Sequence, residues 1–322
     1  MPGLTVRVAR ETEEVPAAAW AELTACSPAS ITGSPEWFEA ALETVDRNAQ
    51  PYILTVQDGE DVVALLALVL KEHARQPTLK FAAAPFNDLT DLMVLPRHRA
   101  LASAVVLRFL AKLAEEGLAL ELEDVDPGGS LAAADKRLKM LRWEKSWPAP
   151  TLHLGPGHAS LVSRKRRRRW DKAMRGLNAR GKVEIKCVSG LAMLQELSDF
   201  IRVRAIRLRA KSRNLSDPPL ELLEAAVHKL APLERCAFMN LHVDSAVVAR
   251  DLYLLDGSVA MLWLRALDMD WLPYSCGHLL LRGSASQLAA KGFRTLDFGR
   301  GGEPYKFAFG AQDRVLLTAR GA

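Results

Sequence analysis

Two Asp-Gly pairs, Asp58-Gly59 and Asp256-Gly257, each separate two apolar runs of strand length. Asp-Gly accepts the left-handed backbone of a tight hairpin turn, so each pair folds its flanking runs back antiparallel. Tyr52 to Gln57 and Asp61 to Leu70 form the first expected hairpin, and Ala246 to Leu255 and Ser258 to Leu267 the second. Similar elements surround both. Before the first hairpin come a strand, Leu4 to Ala9, and a helix started by Ser34 and Pro35 and running to about Thr44. After it the periodicity predicts a helix, His98 to Glu116, stopped by Gly117, and a strand, Leu118 to Leu122. Before the second come helices from Leu161 to about Arg180, Gly190 to Lys211 and Pro219 to Leu230, then a strand, Ala237 to Val243. This is α/β alternation with a partly antiparallel sheet. The repeated element order predicts a duplicated fold whose halves meet between Trp147 and Gly157. A length of 322 residues, 49 % of them hydrophobic, can fill two cores.

Charge divides the same way. Up to Pro150 there are 15 Lys and Arg against 22 Asp and Glu; from Thr151 onward there are 28 against 16. The second half therefore attracts anions, and the sign alone does not choose among nucleic acid, an acidic membrane face and a coenzyme phosphate. Much of the excess sits in Arg164 to Arg169, six consecutive cations, extended by Lys172, Arg175, Arg180 and Lys182. Six in a row cannot share one helix face, so solvent, an acidic partner or bound phosphate must relieve their repulsion. Arg202, Arg204, Arg207, Arg209, Lys211 and Arg213 form a second basic set. The four cysteines, Cys26, Cys187, Cys236 and Cys276, are far apart and show no CxxC, so neither a disulfide framework nor a metal site is expected. The amino-terminal stretch lacks the apolar run of a signal peptide, and Val62 to Leu70 is too short to span a membrane. The expected location is the cytoplasm, with peripheral contact at the inner membrane face left open.

Candidate chemistry concentrates between Tyr274 and Lys306. Gly277 precedes an apolar-patterned helix, His278 to Ala290, whose free N–H groups can hold phosphate oxygens. Gly277 can equally serve only to relieve crowding at the loop-to-helix junction. Neither a GxGxxG fingerprint nor a P-loop is present. Downstream, a short strand, Thr295 to Phe298, runs into Gly299, Gly301 and Gly302, which permit close approach of backbone to a ligand. Asp297 and Glu303 can accept a proton, Tyr305 can donate one to a leaving group, and Lys306 can pair with a carboxylate or phosphate. Against that stand a structural ion pair for Glu303 and Lys306, and a place on the polar face of a sheet for Asp297.

The segments SRKRRRRWDKAMRGLNARGKVE (Ser163 to Glu184), YSCGHLLL (Tyr274 to Leu281) and LDFGRGGEPYK (Leu296 to Lys306) resemble the CelD/BcsL-like acyltransferases, relatives of the FemAB peptidyltransferases in the GNAT-like superfamily. PFNDLTDLMV, Pro85 to Val94, adds a substrate-facing loop with Asn87, Asp88 and Asp91. The resemblance implies an α/β fold of tandem GNAT-like domains with mixed, mostly antiparallel sheets. It implies a first domain, residues 1–152, with an acceptor or structural role, and a second, residues 153–322, that holds the acyl donor and catalyses. The implied reaction moves an acyl group from acyl-CoA to a primary amine of a small molecule or saccharide precursor, without an acyl-enzyme. Cys276, Gly277 and His278 match the coenzyme A turn, with Arg300 beside it; Asp297, Glu303, Tyr305 and Lys306 are the catalytic candidates. The family commonly has Pro-Gly where this chain has Cys276-Gly277. That departure leaves an aminoacyl-tRNA donor open. The charge imbalance leaves a third reading, a non-catalytic binding protein for an acidic glycan, nucleotide or RNA.

Overall fold

The computed structural model describes residues 3–27, 31–72, 76–155, 162–210 and 217–321. Lys211 and Arg213 of the second basic set lie outside the described residues. In chain order the elements begin β1 (Thr5–Ala9), α1 (Ala17–Cys26), α2 (Pro35–Glu43), β2 (Gln50–Asp58), β3 (Asp61–Lys71), β4 (Thr78–Phe81) and β5 (Met93–Val94). They continue with α3 (Arg99–Glu115), β6 (Ala119–Val125), α4 (Ser130–Leu138), β7 (Leu141–Pro148), β8 (Thr151–His153), α5 (Arg164–Asn178) and β9 (Val183–Ser189). Then come α6 (Ala192–Ala210), α7 (Leu220–Leu230), β10 (Cys236–Val243), β11 (Ala246–Asp256) and β12 (Val259–Leu267). Last are α8 (Cys276–Ala290), β13 (Thr295–Asp297), α9 (Pro304–Ala308) and β14 (Val315–Gly321).

Two sheets result. The first runs β1-β2-β3-β4-β6-β14-β7, with β5 also on β3; the second runs β8-β13-β12-β11-β10-β9. Both are mixed and mostly antiparallel, each with one parallel pair, β4 with β6 and β12 with β13. These are tandem α/β GNAT-like lobes. Both expected hairpins form, as β2-β3 and β11-β12, with Gly59 and Gly257 at φ +65° and +52° in the turns. The expected cap at Ser34 also forms, its hydroxyl accepting from the Trp37 N–H with Pro35 at the first helical position.

The chain divides into a first unit of Met1–Pro148, Glu221–Ala226 and Val315–Ala322 and a second of Ala149–Leu220 and Val227–Arg314. Each has its own apolar core. In the first, Leu54, Leu66, Leu79 and Leu122 from the sheet meet Val106, Leu107 and Leu110 of α3. In the second, Leu241, Tyr253 and Leu262 meet Leu279, Leu280 and Leu288 of α8. β14 ends the stretch expected to form the second domain, yet it lies between β6 and β7 of the first sheet and buries Leu316 and Ala319 completely.

Candidate functional site

β12 and β13 pair over three positions only, Val259 to Met261 against Thr295 to Asp297. β12 then continues to Leu267 without β13 beside it, so this edge of the second sheet opens at the point where α8 begins. A bulge shapes the opposite edge of β12. Leu252 pairs with Leu264 and Tyr253 with Leu262, leaving Trp263 as the extra residue and setting Asp251 across from Arg265. The Arg265 guanidinium makes a bidentate pair with the fully buried Asp251 carboxylate, Nε to Oδ1 at 2.6 Å and Nη2 to Oδ2 at 2.7 Å. Burial works against the charge on Arg265, but Asp251 outweighs it and raises the guanidinium pKa above its ordinary value. The Tyr253 hydroxyl reaches the same carboxylate at 3.4 Å, and burial pushes its pKa well up, so it stays a neutral donor.

The free Nη1 of Arg265 faces the start of α8. A Cβ placed on Gly277 would lie 3.3 Å from Arg265 Nη1 and from Leu267 Cδ2, so glycine lets β12 and α8 approach. The His278 and Leu279 N–H groups bond to the Ser275 carbonyl, whereas among the described residues those of Cys276 and Gly277 have no backbone partner. Cys276 is buried and its thiol lies 3.3 Å from the Trp271 carbonyl. Burial pushes that thiol up to about 11, which keeps it protonated and a poor nucleophile.

His278, in the first turn of α8, is the centre of an aromatic cluster. Its ring stacks with Phe309 (centroids 6.2 Å apart, planes 10° apart), which stacks on Trp170 of α5 at 4.5 Å. The Tyr305 ring stands edge-on to His278 at 6.2 Å and edge-on to Phe298 at 6.4 Å, and the Arg265 guanidinium lies 5.6 Å from its centroid. Burial first, then the charges of Arg265, Arg166 and Arg169, lower the His278 pKa, so its imidazole is neutral near pH 7.

The basic helix borders this cluster. α5 starts at Arg164 behind the Ser163 cap, buries Trp170 and Leu177 on one side, and leaves every residue from Arg164 to Arg169 exposed. Arg166 donates to the Ala308 carbonyl of α9 at 2.9 Å, and Asp171 pairs with Arg282 of α8 at 2.8 Å. Along α6, Arg204 is buried, paired with Asp217 and donating to the Arg265 carbonyl.

Of the residues singled out from the sequence, His278 and Tyr305 come together, with Cys276 and Gly277 in the same first turn as His278. Asp297 is buried, accepts from the Gly299 N–H at 2.9 Å and pairs with Arg314 at 2.6 Å. Lys306 is also buried, donating to the carbonyls of Gly299, Arg300 and Gly301 and pairing with the exposed Glu303 at 2.9 Å. These contacts make Lys306 a staple across the glycine loop, with Arg300 inside it. In the first unit, the buried Asn87 amide donates to Thr90 Oγ1, while Asp88 takes a left-handed φ of +55°. Asp91 accepts from the N–H groups of Leu92, Ser130 and Leu131, so its carboxylate caps α4. Asp251 and Arg265 were not singled out. Their signal is a charge embedded in each of two adjacent apolar strands.

Residues 164–307, from the start of α5 through α9, match the acetyltransferase (GNAT) domain family. FemX shares the fold over 95 % of this chain and 96 % of its own, with a TM-score of 0.69 at 10 % identity. L-PGS from Bacillus licheniformis does so over 96 % and 91 %, with a TM-score of 0.62 at 12 % identity. A conserved protein of unknown function from Bacteroides thetaiotaomicron does so over 98 % and 99 %, with a TM-score of 0.64 at 10 % identity. No curated protein matches the chain. Residues 164–307 are thus GNAT-like, and the chain as a whole shares the fold of FemX. Among the described residues, no helix is long and apolar enough to cross a membrane, and no group of three or more His, Cys, Asp or Glu side chains is placed to hold a metal ion.

Proposed function

We propose that the second unit transfers an aminoacyl group from an aminoacyl-tRNA to the primary amine of a small molecule or saccharide precursor. The observation that carries this reading is the exposed polycation Arg164 to Arg169, fixed by Arg166 and Trp170 against the cluster that contains His278 and Tyr305. A donor delivered on RNA brings a chain of phosphates to the place where its ester must react, and a rigid basic helix beside the cleft suits such a donor. The full-length likeness to FemX supports the same reading at the level of fold.

In the reaction the neutral amine attacks the ester carbonyl; the new C–N bond forms and the C–O bond to the terminal ribose breaks. One proton leaves the amine and one reaches the departing hydroxyl. His278, held neutral, receives the first, and the Tyr305 phenol supplies the second. The N–H groups of Cys276 and Gly277, which make no backbone hydrogen bond, would stabilise the developing oxyanion with Arg265 Nη1 beside them. Asp297, Glu303 and Lys306 hold the loop that carries Tyr305.

Those same N–H groups at the start of α8 favour a second reading, acyl-CoA as donor, its pyrophosphate resting there. Purified protein incubated with tRNA charged with labelled amino acids, or with labelled acyl-CoAs, and a panel of amines tests both. Label transfer from charged tRNA, weakened at least tenfold by the double charge reversal Arg167→Glu/Arg168→Glu, is expected. Transfer from acyl-CoA alone, indifferent to that reversal, overturns the tRNA reading.

A further inference from the structure

We propose that the first unit carries a separate binding site, between α3 and α4, for a small organic anion with an apolar body. A cleft of about 460 Å³ separates the two helices, the size of pockets that enclose small-molecule ligands. It exists because the facing positions are small: Ala100 and Ala104 on α3, Ala133 and Ala134 on α4. Three arginines line it: Arg97 in the turn before α3, Arg99 at the start of α3 and Arg137 in the last turn of α4. Among the described residues no carboxylate lines it. Arg99 is anchored there by a 3.0 Å hydrogen bond to the Gly128 carbonyl.

The independent observation is Ser103. It lines the cleft, it is 1 % exposed, and its hydroxyl has no hydrogen-bond partner. Buried hydroxyls are nearly always paired, and a helical serine usually satisfies itself on the carbonyl one turn back. Ser103 does not, and its enclosed hydroxyl gains the partner it lacks by rotating toward an occupant of the cleft it lines. The chemistry defines the occupant. Guanidinium groups fit a phosphate or carboxylate, the alanines and Leu138 fit an alkyl or aryl body, and Ser103 fits one acceptor atom on that body. The site lies in the first unit and does not depend on the acyl-transfer reading.

Isothermal titration of the full chain with hexyl phosphate, hexanoate, inorganic phosphate and hexylammonium tests the site. Both hexyl anions are expected to bind, the tighter one naming the head group, while hexylammonium does not. Arg97→Ala/Arg137→Ala, at two exposed positions, should weaken binding at least tenfold. Ser103→Ala, which removes one hydrogen bond, should weaken it about fivefold. Ala133→Phe, also at an exposed position, should fill the cleft and abolish binding with the unfolding midpoint kept. No binding of either anion, equal binding of hexylammonium, or binding unchanged in Ala133→Phe and in the double arginine variant overturns the site. Inorganic phosphate binding as tightly as hexyl phosphate overturns the apolar body.

Discussion

At the scale of residues, the second unit turns on a charge pair in an apolar interior. Asp251 is fully buried between strands and is compensated by the bidentate guanidinium of Arg265. Asp251→Ala leaves that cation without its partner, a change that typically destabilises by about 3–5 kcal/mol, whereas replacing both residues by apolar ones is far milder. Urea denaturation of Asp251→Ala and of Asp251→Leu/Arg265→Met should show this order; equal losses would mean the pair is not the source. His278 gives a second prediction. Burial and then Arg265, Arg166 and Arg169 depress its pKa, so the form that accepts a proton persists below the usual 6.5. The acid limb of the rate profile should therefore lie below pH 6.5 and move upward in Arg169→Ala, which removes one of the repelling charges. A limb that stays in place in Arg169→Ala would separate His278 from the proton transfer. The Asp251–Arg265 pairing was not legible because the register depends on one bulge. Counted straight from the Asp256-Gly257 turn, Asp251 falls opposite Leu264; only the extra residue Trp263 brings Arg265 across.

At the scale of elements, the locally encoded ones could be read and the remotely capped ones could not. The two hairpins carry their turn residues within the hairpin, and α2 carries Ser34 and Pro35 at its start. α1 follows Pro16 with no side-chain cap, and nothing local marks where it begins. α4 is the clearer case. Its cap is Asp91, 39 residues before Ser130, so the carboxylate read as a substrate contact serves a helix whose start signal is absent from its own sequence. Desolvation pushes the Asp91 pKa to about 6 from an ordinary 3.8, against the lowering effect of its three backbone donors. The native state therefore binds this proton more tightly than the unfolded chain. Its contribution to stability is complete below about pH 4 and is lost as the pH rises through 6, on the order of 3 kcal/mol. Denaturant melts at pH 4.5, 6 and 8 should show that decline, and Asp91→Asn should flatten it while keeping an oxygen acceptor for the α4 N–H groups. An identical slope in the variant would place the titration elsewhere.

At the scale of the whole molecule, the sequence predicts two α/β halves but not which half owns the last strand. A duplicated order of elements suggests two contiguous domains; the last seven strand residues instead hydrogen-bond β6 and β7. Nothing near Val315 encodes this, because strand pairing across that separation is decided by which sheet offers two open edges and a matching apolar face. β14 starts on that pattern, with Leu316 buried between the partly exposed Val315 and Leu317, and then buries both Thr318 and Ala319. Deleting Val315–Ala322 would leave β6 and β7 each with an unpaired edge and would uncover the apolar side of the first sheet. The truncated chain should aggregate or show a lowered, non-cooperative melt. A synthetic peptide of residues 315–322, added during refolding, should restore part of the cooperative transition by supplying the missing strand in trans. The second unit offers an internal control. Its residues end at Arg314, whose guanidinium pairs with Asp297 and donates to the Ala149 carbonyl. The environment of His278, followed by its imidazole resonances, should therefore survive the truncation better than the β-sheet amides of the first unit. Equal collapse of both sets would mean that the second unit cannot fold without the completed first sheet.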